Sequence, residues 1–326
     1  MKTLVLGATG FIGGHIAAAA LAEGWAVRGL RRNSSSTGHL GNADIEWAEG
    51  NLHDPDSLKK AMDGIETVFH AAAFYPRKAK PGEVQQHVKH ARREIEGVID
   101  AARHARVKHF IYTSTLTTIG QPPRREARLA DERDFYRLGD QPRSSYAEAK
   151  CTMENAVLAA TRDGVPALVL NPTAVFGPGD VHLTLGGLLI AAAKGRAIGW
   201  LPATINAVDV RDVAAAHIQA AAAGRVGERY IVGGHNLSVR EAITIANRAA
   251  GKAPPRFEIP LGVIDALVRV GELLPFLPLP SNHLRGVRGW QGYNTEKAGR
   301  ELGLRPRPFD ETVRDALAWF RENGMV

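Results

Sequence analysis

Residues 144–150 read SSYAEAK, which sets the phenol of Tyr146 four positions before the ammonium of Lys150. Side chains four apart share one face of a helix, so both head groups can reach the same bound molecule. A free phenol has a pKa of about 10, and a nearby positive charge favours its ionised form, which suits acid–base chemistry near neutral pH. The alternative is an accidental pair on a helix surface, and only the surrounding elements can decide between the two.

A second stretch with chemical potential is GATGFIGG at residues 7–14, where glycines recur at every third position after a short apolar run. The first glycine permits a tight turn, the second lets the backbone approach a pyrophosphate, and the third allows close packing of the helix that follows. The alternative is merely a glycine-rich turn. We predict a dinucleotide site whose contacts here are Gly7, Thr9, Gly10, Phe11, Ile12 and Gly13.

The end of the second predicted strand indicates which dinucleotide binds. Sites that prefer NAD usually place a carboxylate there for the ribose hydroxyls. This chain has Arg31 and Arg32 followed by Asn33 and Ser34, with no carboxylate. Guanidinium groups suit a 2′-phosphate, so we predict NADP(H) as the preferred cofactor, with NAD(H) as the alternative if both arginines are simply solvated.

These residues need a scaffold, and the pattern predicts an α/β fold with a doubly wound parallel sheet of the Rossmann type. Short β-branched runs alternate with longer helical ones through the first half, and the rhythm loosens after Pro172. The predicted strands are Thr3–Leu6, Ala26–Leu30, Ile45–Ala48, Thr67–His70, His109–Thr113 and Ala167–Leu170. The predicted helices are 13–23, 56–62, 83–105, 146–163, 184–194, 211–223, 238–250, 261–274 and 309–322.

Composition and charge exclude several other classes of protein. The 326 residues are 44% hydrophobic and 23% charged, which is typical of a globular protein. No run of 18 uncharged apolar residues occurs, so we expect no membrane span; in the most apolar stretch, 261–280, charged residues interrupt an amphipathic pattern, and surface contact with a membrane stays open. A single cysteine, Cys151, allows no internal disulfide and suits a cytoplasmic location, with packing as its expected role.

The net charge of +7 is uneven, because residues 76–143 hold 15 Lys or Arg and only 9 Asp or Glu. A basic segment can attract nucleic acid, but this one contains no recognisable nucleic-acid module and no regular aromatic interleaving. We therefore expect no nucleic-acid partner, and we interpret the excess as solvated helix faces and attraction for an anionic cofactor.

Together, GATGFIGG and SSYAEAK resemble the extended short-chain dehydrogenase/reductase family, also known through its NAD-dependent epimerase/dehydratase-like members. That group includes dihydroflavonol-reductase-like enzymes, and hopanoid-associated epimerase-like and sugar-epimerase-like bacterial proteins look most similar overall. The likeness covers almost the whole chain, and the further matching segments are GNLHD (50–54), FHAAA (69–73), FIYTSTLTTIG (110–120) and NPTAVFGPGD (171–180).

The resemblance implies roles for individual residues. Thr115 takes the catalytic Ser/Thr position, with Ser114 as the neighbouring alternative; Tyr146 is the proton donor or acceptor, and Lys150 supports it and bonds the cofactor ribose. The matched segments add cofactor contacts at Asn51, Leu52, Ala71, Ala72, Ala73, Thr113, Ser114, Pro172 and Val175, besides Tyr146 and Lys150 themselves. The implied substrate contacts are Phe74, Tyr75, Thr115, Thr117 and Thr173.

The resemblance also implies an organisation. We expect residues 1–172 to form the cofactor-binding domain with the catalytic residues, and residues 173–326 to form a smaller, mostly helical substrate lobe. Segments near 205–235 are expected to return to the main sheet. A homodimer through the helices at 83–105 and 146–163 is implied as well.

The chain departs from the family where relatives grip nucleotide sugars. The stretch 194–213 lacks the arginine that often meets the pyrophosphate, and Asn171 and Ala91 replace a frequent arginine and asparagine. Trp200–Pro202 and the apolar stretch 261–280 suit a less charged ligand. The segment 77–80 also contains cations. They could receive an anionic group of the substrate, or they could simply be solvated.

We therefore expect an NADP(H)-dependent oxidoreductase acting on a secondary alcohol or ketone of an apolar, non-nucleotide substrate. One alternative is a nucleotide-sugar epimerase or dehydratase that recycles its hydride, and another is a non-catalytic NADP(H) sensor. His87 and His90 share a helix face but have no companion ligands nearby in sequence, so we expect no metal site.

Overall fold

The computed structural model describes residues 1–33, 40, 43–72, 81–123, 125–141, 144–181, 183, 185–273 and 289–326. Its strands are β1 (Lys2–Leu6), β2 (Ala26–Arg31), β3 (Ile45–Glu49), β4 (Thr67–His70), β5 (His109–Thr113), β6 (Ala167–Pro172), β7 (Ala174–Phe176), β8 (Gly199–Trp200), β9 (Thr204–Asp209), β10 (Arg229–Val232), β11 (His235–Ser238) and β12 (Phe257–Glu258).

The helices alternate with these strands. They are α1 (Phe11–Ala22), α2 (Pro55–Met62), α3 (Val84–Ala105), α4 (Ser145–Ala160), α5 (Gly186–Ala193), α6 (Val210–Ala223), α7 (Val239–Ala249), α8 (Leu261–Leu273), α9 (Glu296–Leu302) and α10 (Phe309–Glu322). Local sequence signals set several of their starts. Asp54 caps α2 by accepting hydrogen bonds from two backbone amides of its first turn, and Ser238 and Glu241 form a capping box on α7.

Seven strands form the central sheet in the order β10-β6-β5-β4-β1-β2-β3, and every neighbouring pair in it is parallel. All residues of β4, β6 and β10 are buried, because helices cover both faces of the sheet. The predicted doubly wound, Rossmann-type fold is therefore confirmed.

Two hydrophobic clusters lie on opposite faces of this sheet. On one face, Leu58 of α2, Ile95 of α3 and Met153 of α4 pack together under the sheet. On the other, Ile16 of α1 and Val213 of α6 occupy the equivalent layer. This two-layer cover fixes α1 and α4, the two helices that carry the glycine turn and the Tyr–Lys pair.

The strand order reverses around β1, which has β2 on one side and β4 on the other. In open parallel sheets, ligands bind outside the carboxyl ends of the strands at such a point. The residues that follow β1, β2, β4 and β5 are thus the ones that must hold a ligand.

The C-terminal region is largely helical and has its own core, in which α5, α7 and α10 contribute Leu189, Ile243, Val313 and Phe320. Two small sheets join it, in the orders β11-β9-β7 and β12-β8. No helix among the described residues is both long and apolar enough to cross a membrane.

Several elements of this second half were not predicted. The strands β7 to β12 have two to six residues each and helix α9 has seven, so they are too short to show a readable periodicity. Of the segments near 205–235, β10 extends the central sheet beside β6, whereas β9 and β11 pair with each other in a separate sheet. The expected helix 146–163 ends at Ala160 and continues as a single 3-10 turn, Thr161–Asp163.

Candidate functional site

The glycine turn after β1 is tightly constrained by its own backbone. Gly7 has a φ of +93°, and a Cβ there would lie 2.7 Å from the backbone nitrogen of Ala72. A Cβ on Gly13 would lie 2.1 Å from the carbonyl oxygen of Gly7, so α1 can approach the turn only without a side chain there. Each of these two glycines is therefore required by the close approach of backbone.

The start of α1 has the properties of an anion site. Gly10 is its N-cap and offers no side-chain cap, and the first turn contains no acidic residue. The amides and the helix dipole are therefore left to a negatively charged ligand, which fits the pyrophosphate of a dinucleotide. Thr9, Phe11 and Ile12 lie in the same turn, next to these amides.

Arg31 and Arg32 follow at the end of β2. The Arg31 guanidinium lies over the Trp47 ring at 5.4 Å from its centroid, and its buried Nε has no hydrogen-bond partner among the described residues. Arg32 is exposed. A half-buried guanidinium held on an indole face, with a donor still unused, fits a phosphate ligand.

The other predicted cofactor residues lie at strand ends along the same edge. Asn51 and Leu52 follow β3, and the Asn51 Oδ1 accepts a hydrogen bond from the His53 amide at 2.9 Å. Ala71 and Ala72 follow β4 and contact the glycine turn from the side. Ala73, Phe74 and Tyr75, with the cations of the segment 77–80, lie outside the described residues.

Lys150 is held from α4 against strand β5. Its Nζ donates to the Tyr112 hydroxyl at 3.1 Å and to the Thr113 carbonyl at 2.9 Å, and its side chain is buried. Burial lowers the pKa of Lys150 to about 8, although the charges of Glu154 and Glu94 oppose that change. The two hydrogen bonds therefore fix the Lys150 head group in place against β5.

Tyr146 is the second residue of α4 and is half-buried. The Ser144 hydroxyl caps the helix by accepting from the Ala147 amide at 3.2 Å, and the Ser145 hydroxyl lies 3.0 Å from Nδ1 of His87. These contacts order the first turn of α4. The helical spacing then puts Tyr146 on the same face as Lys150.

The structure distinguishes Ser114 from Thr115. Ser114 Oγ donates to the buried carboxylate of Glu154, so it is occupied within the protein. Thr115 caps a 3-10 turn through a long 3.4 Å contact from the Thr117 amide. The Thr117 hydroxyl is buried and has no hydrogen-bond partner among the described residues. The Thr115 hydroxyl is therefore less engaged than that of Ser114. The Thr117 hydroxyl is a further group without a partner in the described part of the chain.

The remaining predicted residues lie deeper. Thr113 Oγ1 is 2.7 Å from Nε2 of His217, and Thr173 Oγ1 donates to Oδ1 of Asn206 at 2.9 Å. Pro172 ends β6 in register with Val232, and Val175 is a member of the core cluster that contains α1 and α6. The hydroxyls of Thr113 and Thr173 are thus occupied, and any ligand contact at these positions would come from backbone or carbon atoms.

Sequence reasoning missed three residues around this site. Tyr112 accepts the Lys150 ammonium, while Glu154 and Arg229 form a buried ion pair beneath the Thr115 turn. Glu154 was within reach, because it lies four residues after Lys150 on the same helix face. Arg229 gave no signal, since only the folded chain brings β10 to α4.

The chain matches the model of the NAD dependent epimerase/dehydratase family over residues 3–233. It is 30% identical to sterol demethylase protein B of Methylococcus capsulatus, with full coverage of both chains. It is 31% identical to cinnamoyl-CoA reductase 1 of Arabidopsis thaliana, over 98% of this chain and 89% of that protein. A nucleoside-diphosphate-sugar epimerase from Pseudomonas aeruginosa has a similar solved structure, with a TM-score of 0.85, 26% identity, and coverage of 100% of this chain and 99% of that chain.

Proposed function

Because the chain belongs to the NAD-dependent epimerase/dehydratase family of extended short-chain dehydrogenases/reductases, we propose that it is an NADP(H)-dependent oxidoreductase acting on a secondary alcohol or ketone. The observation that carries this proposal is the attachment of Lys150 to β5 through the Thr113 carbonyl at 2.9 Å. That bond ties the helix bearing Tyr146 to the strand that leads into Thr115. The three proposed catalytic residues are thereby held on adjoining elements.

A nicotinamide bound at the glycine turn would supply or accept the hydride at the substrate carbon. In reduction, the Tyr146 hydroxyl donates its proton to the carbonyl oxygen, and in oxidation the phenolate takes the proton from the alcohol. The Lys150 ammonium favours the phenolate by its charge. An ammonium has three donors, of which Tyr112 and Thr113 receive two, and we assign the third to the cofactor ribose. The Thr115 hydroxyl holds the substrate oxygen.

The preference for NADP(H) over NAD(H) depends on Arg31 and Arg32. A 2′-phosphate beside the Arg31 guanidinium would use the buried Nε donor that the described part of the chain does not. Arg32 adds a second, solvent-facing cation. Glu49 is the residue of β3 that pairs with Arg31 of β2, and its side chain is exposed to solvent.

An apolar substrate without a nucleotide is supported by what replaces the phosphate-gripping residues. Asn171 is fully buried, and its amide donates to Glu154 and Thr118 inside the protein. Half-buried Trp200 and Leu201 pack on the C-terminal core, and the Arg240 guanidinium lies over the Trp200 ring at 4.7 Å from its centroid. A sterol, the moiety in the name of one relative, is largely apolar and contains no nucleotide.

The similarity to the Pseudomonas epimerase favours a second candidate, a nucleotide-sugar epimerase or dehydratase that regenerates its cofactor in each cycle. The two functions differ in net consumption of NADPH. We expect NADPH absorbance at 340 nm to fall in stoichiometric proportion to ketone added, with aryl and alicyclic ketones as the first panel. Isomerisation of a UDP-sugar with no cofactor consumed, and no oxidation of NADPH by any ketone, would replace the proposal with the epimerase.

As part of the same proposal, we place the enzyme in the cytoplasm as a homodimer through α3 and α4. The exposed face of α3 is charged, carrying Lys89, Arg92, Arg93, Glu96 and Arg103, so the proposed dimer would depend on salt. Light scattering at low and high ionic strength tests this, and a monomeric mass at both would contradict it.

A further inference from the structure

Two histidines and one glutamate converge beside α3, next to the loop that precedes α2. His90 and Glu94 lie four residues apart on this helix, and His53 reaches them from the loop that precedes α2. One candidate ligand atom from each residue lies within 4.8 Å of the other two. The His53 Nε2 is 3.5 Å from a Glu94 carboxylate oxygen, and the centroids of the His53 and His90 rings are 4.5 Å apart.

We propose that His53, His90 and Glu94 form a binding site for a divalent late transition metal ion, with Zn²⁺ as the representative. Two imidazoles and a carboxylate are a donor set that Zn²⁺ accepts, whereas Mg²⁺ and Ca²⁺ favour oxygen-only sets. Protein donors bind Zn²⁺ at about 2.0–2.2 Å in tetrahedral geometry, so two of them lie roughly 3.3–3.6 Å apart. The observed cluster therefore needs only a small side-chain adjustment.

The burial of the three residues makes that adjustment inexpensive. The Glu94 side chain is only 4% exposed and is fixed, while the His53 side chain is 51% exposed and can rotate toward it. His90 is half-buried between the two. A metal ion bound here would keep an outward side for water, because His53 faces solvent.

This arrangement could not be read from the sequence. Helical spacing alone indicates His87 and His90 as the two residues that could share a ligand. In the structure, however, the His87 Nδ1 lies 3.0 Å from the Ser145 hydroxyl. The third ligand, His53, is far away in the chain and reaches α3 because α2 and α3 share the same face of the sheet. The proposal differs from the expectation of no metal site, which was based on His87 and His90 alone, and the titration below decides between them.

A bound ion would add a direct link between α3 and the loop that contains His53, beside the 3.5 Å contact of His53 with Glu94. His53 directly follows Asn51 and Leu52, so the ion would fasten this loop to α3. The proposal is independent of the proposed function, because metal binding can be measured without NADPH or substrate.

The test is isothermal titration of chelator-treated protein with Zn²⁺, with Mg²⁺ as the comparison ion. We expect one equivalent of Zn²⁺ to bind with a dissociation constant in the micromolar range, no measurable Mg²⁺ binding, and a thermal midpoint raised by Zn²⁺. His53→Ala and His90→Ala should each weaken Zn²⁺ binding by about 10-fold or more. The matched control is His104→Ala, an exposed histidine near the end of the same helix.

His53 is exposed enough that its replacement should leave the fold intact, so a negative result can be interpreted. Zn²⁺ binding that is equal in His53→Ala, His90→Ala and His104→Ala would overturn the proposal, and so would no binding by the unmodified protein at about 100 μM Zn²⁺. Circular dichroism of each variant confirms folding before the titration.

Discussion

The carboxylate of Glu154 on α4 lies 2.6 Å from the Arg229 Nε on β10, and both side chains are only 3% exposed. The other Glu154 oxygen accepts from Thr118 Oγ1 at 2.6 Å and from Asn171 Nδ2 at 2.9 Å. The same Thr118 Oγ1 lies 2.8 Å from the Thr115 carbonyl oxygen. A single buried ion pair thus connects the helix of Tyr146 and Lys150 to the turn of Thr115.

Glu154→Gln should destabilise the protein, because it leaves the buried Arg229 guanidinium without a countercharge. We expect the free energy of unfolding in urea to fall by about 3–5 kcal/mol. The matched control is Glu96→Gln, which breaks the exposed Arg92–Glu96 pair on α3 and should cost less than about 0.5 kcal/mol. Equal costs for the two variants would show that the buried pair contributes no more than a surface one.

Tyr146→Phe removes one hydroxyl from the half-buried start of α4. We expect turnover to fall by about 100-fold or more, since the proton at the substrate oxygen would have no positioned donor, while NADPH affinity changes little. A turnover assay measures the first quantity, and titration of NADPH fluorescence measures the affinity for NADPH. Full activity of the variant would remove Tyr146 from the mechanism.

Arg31→Ala combined with Arg32→Ala should abolish the preference for a 2′-phosphate. We expect the dissociation constant for NADP to rise by about 10-fold or more while that for NAD stays nearly unchanged. Arg314→Ala with Arg321→Ala removes the same total charge from exposed positions on α10 and should leave both constants unchanged. If the ratio of NADP to NAD affinity is the same before and after, the two arginines do not read the phosphate.

Gly13→Ala places a methyl group 2.1 Å from the Gly7 carbonyl oxygen, so the glycine turn or α1 must move. We expect a loss of about 2–4 kcal/mol in the free energy of unfolding and weaker cofactor binding in the folded protein. Gly97→Ala in α3 has no atom within 4 Å of the new methyl and should stabilise by up to about 1 kcal/mol through helix propensity. Denaturation of both variants side by side checks the contrast, which fails if Gly13→Ala is as stable as Gly97→Ala.

His70 makes the fold sensitive to acid. Complete burial, with a smaller effect of the Lys150 charge, lowers the pKa of His70 to about 3, and its ring packs between Phe110 and Tyr112. Between pH 6.5 and 3 the unfolded chain binds a proton here that the folded chain does not, so stability falls as the pH falls through this window.

His70→Leu should remove this contribution. Between pH 7 and pH 4 we expect the wild-type free energy of unfolding to drop by about 3 kcal/mol more than that of the variant. Urea denaturation at the two pH values measures the difference. Parallel losses in both proteins would mean that His70 is not the source of the acid sensitivity.

The fold class could be predicted from the sequence because its signals are local. Strands β1, β2, β4, β5 and β6 are short apolar runs, and each was predicted to within two residues. The strands of the second half were missed because their pairing is with residues distant in the chain. β10, for instance, becomes a strand only by lying beside β6.

For the candidate site, the sequence by itself determined the glycine turn, the Arg31–Arg32 pair and the Tyr146–Lys150 spacing, because each is a pattern within a few neighbouring residues. Only the tertiary structure decided that Lys150 is bonded to Tyr112 and Thr113, that Ser114 rather than Thr115 is occupied, and that Glu154 meets Arg229. It also brought His53 to His90 and Glu94. The physical reason is that these contacts join separate elements, and they form only after those elements have packed together.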